Sequence, residues 1–536
     1  MLRSKKVLIA VCVIALLLIG GWWFLTRHTF PSHARYIPKN SIAVVSVNTK
    51  RIASDVLFGG GFQADTNSSS ARKFIAWKKA LDETSWAGMN LGADVLLFSN
   101  VTEDGKQWYN GMIFQLDDAT KLSKFLGNNL PHLLDSLQVH ATSLIDNKTY
   151  QSVMIVNDNS ESPVCIGFNK EVAVILKANT PTTALAFYGK ELTRIFGMSA
   201  ENSLLSDENF KDAEKKSADI TFWCNMGNPA VYQMLYHKKD SSAAHPGYLN
   251  AWINFEKGAI KMDFFTSAPD ASAKPMSNGV ESNFDFCKLV GKDKFMGMMF
   301  LNLNLPNIID KLESAKKGML TDAFFKNMGL SSSDIASAFN GKVEMAMNGF
   351  VTYKQKYLDY EYDADFNRTE VEKYRDAHIP GMVIRMGVTN SAALTPLLPK
   401  MLSTGIIIPW KNGFRIKSGD PVFLNVSGNY LYITTSEDIP KDLKEGDALA
   451  NADLNDLHSN HANGVFVNFR GIEDAMNKDL APNSGKNKVT EILENISIST
   501  DEKKLGTASS EFIIRFNDKK TNSLNQLIKL TTSINK

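Results

Sequence analysis

Short apolar runs along this chain end repeatedly at asparagine, and apolar positions at helical spacing follow each one. Residues 44–48 (VVSVN) lead to Ile52 and Val56, and the run ending at Asn225 leads to Val231 and Leu235. Residues 298–302 (MMFLN) lead to Pro306, Ile308, Ile309 and Leu312, and residues 465–468 (VFVN) lead to Ile472 and Met476. Runs of this length and β-branched or aromatic content read as strands, and the spacing after them reads as helix. A second version ends in acid or amide residues. Residues 112–118 (MIFQLDD) precede Leu122, Phe125 and Leu126; residues 384–390 (IRMGVTN) precede Leu394 and Leu397; residues 513–517 (IIRFN) precede Leu524 and Leu527. An asparagine side chain accepts from the N–H groups left free at a helix start and tolerates turn conformations. Asn48, Asn225, Asn302 and Asn468 are therefore assigned as strand-to-helix turns, with Pro229 and Pro306 suited to a first helical turn. The alternative is that these amides line a polar groove that reads a ligand.

The runs recur in one order. Asn302 lies 254 residues after Asn48, Asn390 272 after Asp118, and Asn468 243 after Asn225. Between them, a strand at 94–99 has a counterpart at 343–348, and a hairpin through 153–177 has one through 422–435. Each set closes with strands, at 252–265 and 496–516, and residues 267–282 (SAPDASAKPMSNGVES) between the sets read as a linker. The pattern predicts two related domains, 36–266 and 283–536. Strands adjacent in sequence, such as the pair turning at Ser427, Gly428 and Asn429, favour an α+β fold. Each copy is expected to be a largely antiparallel sheet with helices on one face.

Residues 7–25 (VLIAVCVIALLLIGGWWFL) hold no charge. As a helix they reach roughly 28 Å, close to the hydrocarbon thickness of a bilayer. Trp22 and Trp23 suit the interface at the outer end. The run exceeds a usual signal-peptide core and lacks a small-residue cleavage site, so it reads as an uncleaved signal-anchor. Ile9, Ala10 and Val11 before Cys12 do not make a lipoprotein site. Arg3, Lys5 and Lys6 place residues 1–6 in the cytoplasm and the bulk outside, although Arg27 and Arg35 follow the span. The alternatives are a lipoprotein, or secretion after cleavage.

Of 536 residues, 59 are Lys or Arg and 57 are Asp or Glu; setting aside the first 35 leaves 54 bases against 57 acids, a net −3. That excludes nucleic-acid binding through a general basic field. Hydrophobic content of 44% with 22% charge excludes a disordered chain. Four cysteines exclude a disulfide scaffold, and the three beyond the apolar run (Cys165, Cys224, Cys287) cannot all pair internally.

Residues 36–48 (YIPKNSIAVVSVN), residues 88–98 and the repeated strand–Asn–helix blocks resemble a cell-envelope family of Bacteroidota known as domain of unknown function four-eight-three-six. The resemblance implies a bacterial envelope location and brings no activity, substrate or catalytic residue. Members are commonly lipoproteins, so the signal-anchor here departs from the family.

No catalytic set can be assembled from the residues. His458 and His461 form H-x-x-H without the glutamate of H-E-x-x-H, on a stretch that reads as loop, so no metal is assigned. Asp363, Asp365 and Asn367 begin like a calcium loop, but Arg368 replaces the required glycine and Tyr374 the bidentate glutamate. Gly59, Gly60 and Gly61 lack the Lys-Ser or Lys-Thr of a P-loop, and no G-x-S-x-G elbow occurs. The N-x-[ST] triplets match chance in an Asn-rich chain. No cofactor is implied.

A tyrosine- and acid-rich insertion around 353–363 occurs in the second set alone. It reads as a solvated hairpin or loop. Its sharper reading is a recognition surface carrying Tyr357, Tyr360 and Tyr362, since tyrosine offers large contact area at low entropy cost. The sequence thus predicts a membrane-anchored, non-enzymatic envelope protein that binds an envelope protein or other envelope component. The alternative is an envelope hydrolase or ligand receptor with a site in a cleft between the copies.

Overall fold

The computed structural model describes residues 31–58, 88–90, 92–102, 107–129, 139–142, 144–157, 163–178, 184–231, 247–267, 275–279, 286, 295–314, 330–411, 413–417, 420–436, 452–480, 488–504 and 506–534. The apolar run at 7–25, Gly59 to Gly61, Cys287 and much of the expected linker lie outside the described residues. Among the described residues, no helix is long and apolar enough to cross a membrane. The fold is α+β and mostly antiparallel sheet.

The chain divides into two compact units, 1–269 with 520–536, and 270–519. The first unit contains β1 (Ala43–Val47), β2 (Val95–Val101), β3 (Trp108–Gln115), β4 (Val139–Ala141), β5 (Ile145–Asp146), β6 (Gln151–Asn157), β7 (Val164–Phe168), β8 (Val172–Ala178), β9 (Ile220–Asn225), β10 (Tyr248–Glu256) and β11 (Ala259–Ser267). Its sheet runs β11-β10-β9-β1-β2-β3-β8-β7-β6, every pair antiparallel, with β4 and β5 on the outer edge of β6. The second unit contains β12 (Phe295–Asn302), β13 (Phe339–Tyr362), β14 (Arg368–Val388), β15 (Ile407–Trp410), β16 (Gly413–Ile416), β17 (Phe423–Ser427), β18 (Tyr430–Thr434), β19 (Asn463–Asn468), β20 (Leu493–Lys504) and β21 (Thr507–Phe516). Its sheet runs β21-β20-β19-β12-β13-β14-β18-β17-β16-β15, also antiparallel throughout.

Alternation along the strands builds the cores. In the first unit Val44, Phe98, Tyr109, Ile113, Val174, Leu176 and Trp223 point to one face, where Tyr188, Leu192 and Ile195 of the helix Ala184–Phe196 and Phe210 of the helix Glu208–Lys215 cover them. On the opposite face Val153, Phe168 and Ala173 pack against Leu122 of the helix Ala119–Lys124 and the following Leu126. The second unit also has helices packed on both faces of its sheet. Met298, Phe300 and Phe466 pack with Leu454 and Leu457 of the helix Ala452–Asn460 on one side. Leu424 and Leu431 pack with Ala338 and Leu397 on the other. Helices on one face alone, as the sequence led us to expect, is therefore corrected: both faces carry them. The physical cause is visible in β8 (VAVILKA), a nearly continuous apolar run of the kind a strand covered on both faces requires.

The C-terminal helix Ser523–Ile534, expected in the second copy, groups with the first unit. Asn522 just before it donates to the Phe255 carbonyl and accepts from the Leu524 N–H at 2.8 Å.

Candidate functional site: an exposed two-stranded ribbon

The strands β13 and β14 are far longer than their neighbours. Residues 342–348 of β13 pair with β12, and residues 383–387 of β14 pair with β18. From the Phe350–Pro380 pair out to the Tyr362–Arg368 pair, the two strands pair with each other and with no other described strand. Thirteen residues at about 3.3 Å each make a ribbon roughly 40 Å long. It leaves the sheet at a bulge between Met347 and Phe350. Gly349 there has φ +65°, and a Cβ on Gly381 would lie 2.3 Å from the Asn348 carbonyl oxygen, so the crossing demands glycine. At the base, the Phe350 N–H donates to Asp479 at 2.9 Å and the Tyr353 hydroxyl donates to Asp420.

Cross-strand pairs hold the ribbon in register. Lys354 meets Asp376 directly opposite at 2.8 Å, and Lys356 pairs with Glu372. Lys373 reaches Asp359 at 2.8 Å and Glu361 at 3.3 Å, and its ammonium holds the Asp359 carboxyl below the usual carboxylate range. Arg375 donates to Gln355 at 3.0 Å and lies over the Tyr357 ring; Arg368 lies over the Tyr360 ring at 3.3 Å. Exposed pairs contribute little each, but charged ladders fix register and discourage edge-to-edge aggregation.

The calcium-like spacing builds the turn at the tip. The Asp363 carboxylate accepts from the N–H groups of Asp365 and Asn367 at 2.9 and 2.8 Å and from the Asn367 side-chain amide at 3.0 Å. Those donors lower the Asp363 pKa. Phe366 takes φ +61° and stands 85% exposed at the apex.

Tyr360 and Tyr362 share one face of the ribbon with Leu358 and, from the opposite strand, Tyr374; Tyr357 lies on the other face. Tyr362, Tyr374 and Leu358 are 63%, 62% and 56% exposed. Leu358, Phe366 and Tyr374 are not singled out by the sequence. Their signal is apolar residues in a polar insertion, but which face they share depends on a register the sequence does not print.

The asparagines sit at turns as follows. Asn48 accepts from the Arg51 N–H at 3.1 Å, and Asn468 caps the helix Phe469–Asp479 by accepting from Gly471 at 3.2 Å. Asn225 accepts from Gly227 at 3.1 Å. Asn302 instead donates to the Gly279 carbonyl at 2.8 Å, and Asn304 accepts from Asn307 before the helix Leu305–Ser314. Asp118 and Asn390 cap the elements after β3 and β14.

Other chemistry-bearing groups are engaged in the fold. His458 lies on the helix Ala452–Asn460, which corrects the loop expected there. His461 bonds Asp501 through Nδ1 at 2.6 Å, and among the described residues no hydroxyl bonds its other nitrogen. Cys165 and Cys224 are buried free thiols, their pKa values pushed up by burial to about 12 and about 11. Among the described residues, no group of three or more His, Cys, Asp or Glu could hold a metal. A cavity of about 610 Å³ beside β5 and β6 is lined by Thr120, Asp146, Asn147, Gln151 and Asn169. The Asp146, Asn147 and Asn169 side chains are spent on local bonds to Gln151, Lys148, Glu171 and Val172.

The ribbon is thus the part of the described chain that displays large apolar side chains on a braced support. With that geometry set, sequence comparison places the chain: it belongs to the family described as Domain of unknown function (DUF4836), whose profile matches residues 35–445. No curated protein matches significantly. Among solved structures, crystal form III of TP0453 is 8% identical, covering 46% of this chain and 82% of that one with a TM-score of 0.27. Crystal form I of the same protein is 6% identical, covering 46% and 83% with a TM-score of 0.25.

Proposed function

We propose that this protein is a non-enzymatic binding component of the bacterial cell envelope, tethered by residues 7–25 with its bulk outside the cytoplasm, whose ribbon engages a protein partner. The observation that carries the reading is the exposure of Leu358, Tyr362, Phe366 and Tyr374 on an arm stiffened by cross-strand pairs. Apolar side chains concentrated this way are a cost in solution unless something covers them, and aromatic residues dominate binding energy at interfaces. The 19-residue apolar run supports the tether, and the envelope location is what the resemblance of residues 36–48 and 88–98 implies.

The two units are, in this reading, tandem copies. Support comes from strand order: β1, β2 and β3 correspond to β12, β13 and β14; β6, β7 and β8 to β16, β17 and β18; β9, β10 and β11 to β19, β20 and β21. The counterpart of the ribbon in the first unit is the β2–β3 hairpin, whose strands have 7 and 8 residues against 24 and 21. The arm is then an addition to one copy that the shared fold does not need.

The test is cross-linked co-purification of the full-length protein from its native membrane, comparing it with a Y360S/Y362S/Y374S variant. A partner recovered at near-equal amount with the wild type and lost from the variant supports the reading. A partner retained by the variant refutes it.

A further inference from the structure

We propose that the partner's docking surface is cationic, with Lys or Arg groups around an apolar recess that receives Phe366. The proposal rests on the ribbon being the binding element and adds the chemistry of what it binds. Over residues 350–380 seven carboxylates face five Lys or Arg groups, a net charge of −2, and the acids without a cation lie toward the tip. Apart from Arg368, the ribbon's cations are already engaged: Lys354 with Asp376, Lys356 with Glu372, Lys373 with Asp359 and Glu361, and Arg375 with Gln355. Asp363 is committed to the turn. Asp365 and Glu370 remain exposed and form no ion pair with any described residue. Asp365 directly precedes Phe366, the most exposed ring of the tip, and Glu370 lies directly opposite Tyr360.

An apolar apex bordered by uncompensated carboxylates repels an anionic lipid surface and a second copy of the same tip. It complements a surface of opposite sign, and such complementarity governs both encounter rate and partner choice. Exposed charge pairs of this kind change affinity by about two- to fivefold each.

The experiment places the photo-cross-linker p-benzoylphenylalanine at position 366 of the full chain in its native membrane, with and without D365N/E370Q. Both substitutions are exposed and leave Asp363 in the turn; a thermal melt confirms the fold. We expect a discrete protein adduct, its linked peptide bearing Lys or Arg. Its yield should fall about three- to tenfold in the double variant and similarly when salt is raised from about 0.05 to about 0.5 M. A protein adduct indifferent to both changes overturns the cationic partner while leaving the ribbon as the binding element. Adducts to lipid alone overturn it in favour of a membrane. No adduct at 366, nor with the probe moved to 362, removes the ribbon reading itself.

Discussion

Asp55 should destabilise the folded protein at neutral pH, and removing its charge should help. The residue lies on the helix Thr49–Phe58, half-buried, near Asp219 and Arg51. Burial first and the Asp219 charge second raise its pKa from 3.8 to about 6, against the opposing pull of Arg51 and a hydrogen bond from Asn522. A carboxyl that binds its proton more tightly folded than unfolded favours folding as pH falls; stability is lost as pH rises from about 4 to about 6 and is level above. A rise of that size sets an upper limit of about 3 kcal/mol on the destabilisation. Solvent screening of a half-exposed group reduces this to about 1 kcal/mol. D55N keeps a hydrogen-bonding side chain of the same shape without the charge. Urea unfolding followed by circular dichroism should show its midpoint raised at pH 7.5 by the equivalent of about 1 kcal/mol, with little difference at pH 4.5. Asp219 is itself raised by burial, so its contribution has the same sign, with stability gained as pH falls through its folded pKa. A lowered midpoint for D55N at pH 7.5 would refute the reasoning, because it would mean that the Arg51 and Asn522 interactions outweigh burial.

Three further outcomes are expected. Arg385 and Glu344 are directly opposite across β13 and β14, 2.6 Å apart and almost wholly buried, with the guanidinium over the Tyr430 ring at 4.4 Å. R385M removes the nearer of two cations on the buried carboxylate, leaving Lys342 at 3.6 Å, and should cost about 1.5–3 kcal/mol in denaturant titration of the second unit's transition. G381A forces a Cβ onto the Asn348 carbonyl and should cost about 1–3 kcal/mol in the same assay, with the ribbon's departure from the sheet altered. Cys165 and Cys224 should resist a thiol reagent at pH 8 in the native protein and react on unfolding, read by mass spectrometry.

Much of the strand content was legible because the apolar runs are short and bounded by Asn or Asp, and Asn48, Asp118, Asn390 and Asn468 do accept from the helix starts that follow. Asn302 escaped that logic because the cap falls two residues later, at Asn304. The insertion around Tyr357, Tyr360 and Tyr362 was legible as polar and aromatic. Its rigidity and its faces were not, since they follow from pairing Tyr362 with Arg368 and Lys356 with Tyr374, and a slip of one residue would exchange the faces. Asp363 could be rejected as a calcium ligand but not assigned to the turn without the backbone it bonds. Helix cover on both faces has its signal in the apolar run of β8, which Lys177 alone interrupts. The placement of Ser523–Ile534 in the first unit has none, because amphipathic spacing does not say which sheet a helix meets.

The central claim is that the ribbon, and not the sheets that carry it, holds the partner. Its most direct test replaces residues 352–378 by a two-residue Asn-Gly turn in the full-length protein and quantifies cross-linked partners from the native membrane against wild type. The account predicts a protein that still folds, with its cooperative transition kept, and that loses its stoichiometric partner. An unchanged partner at unchanged yield would contradict it.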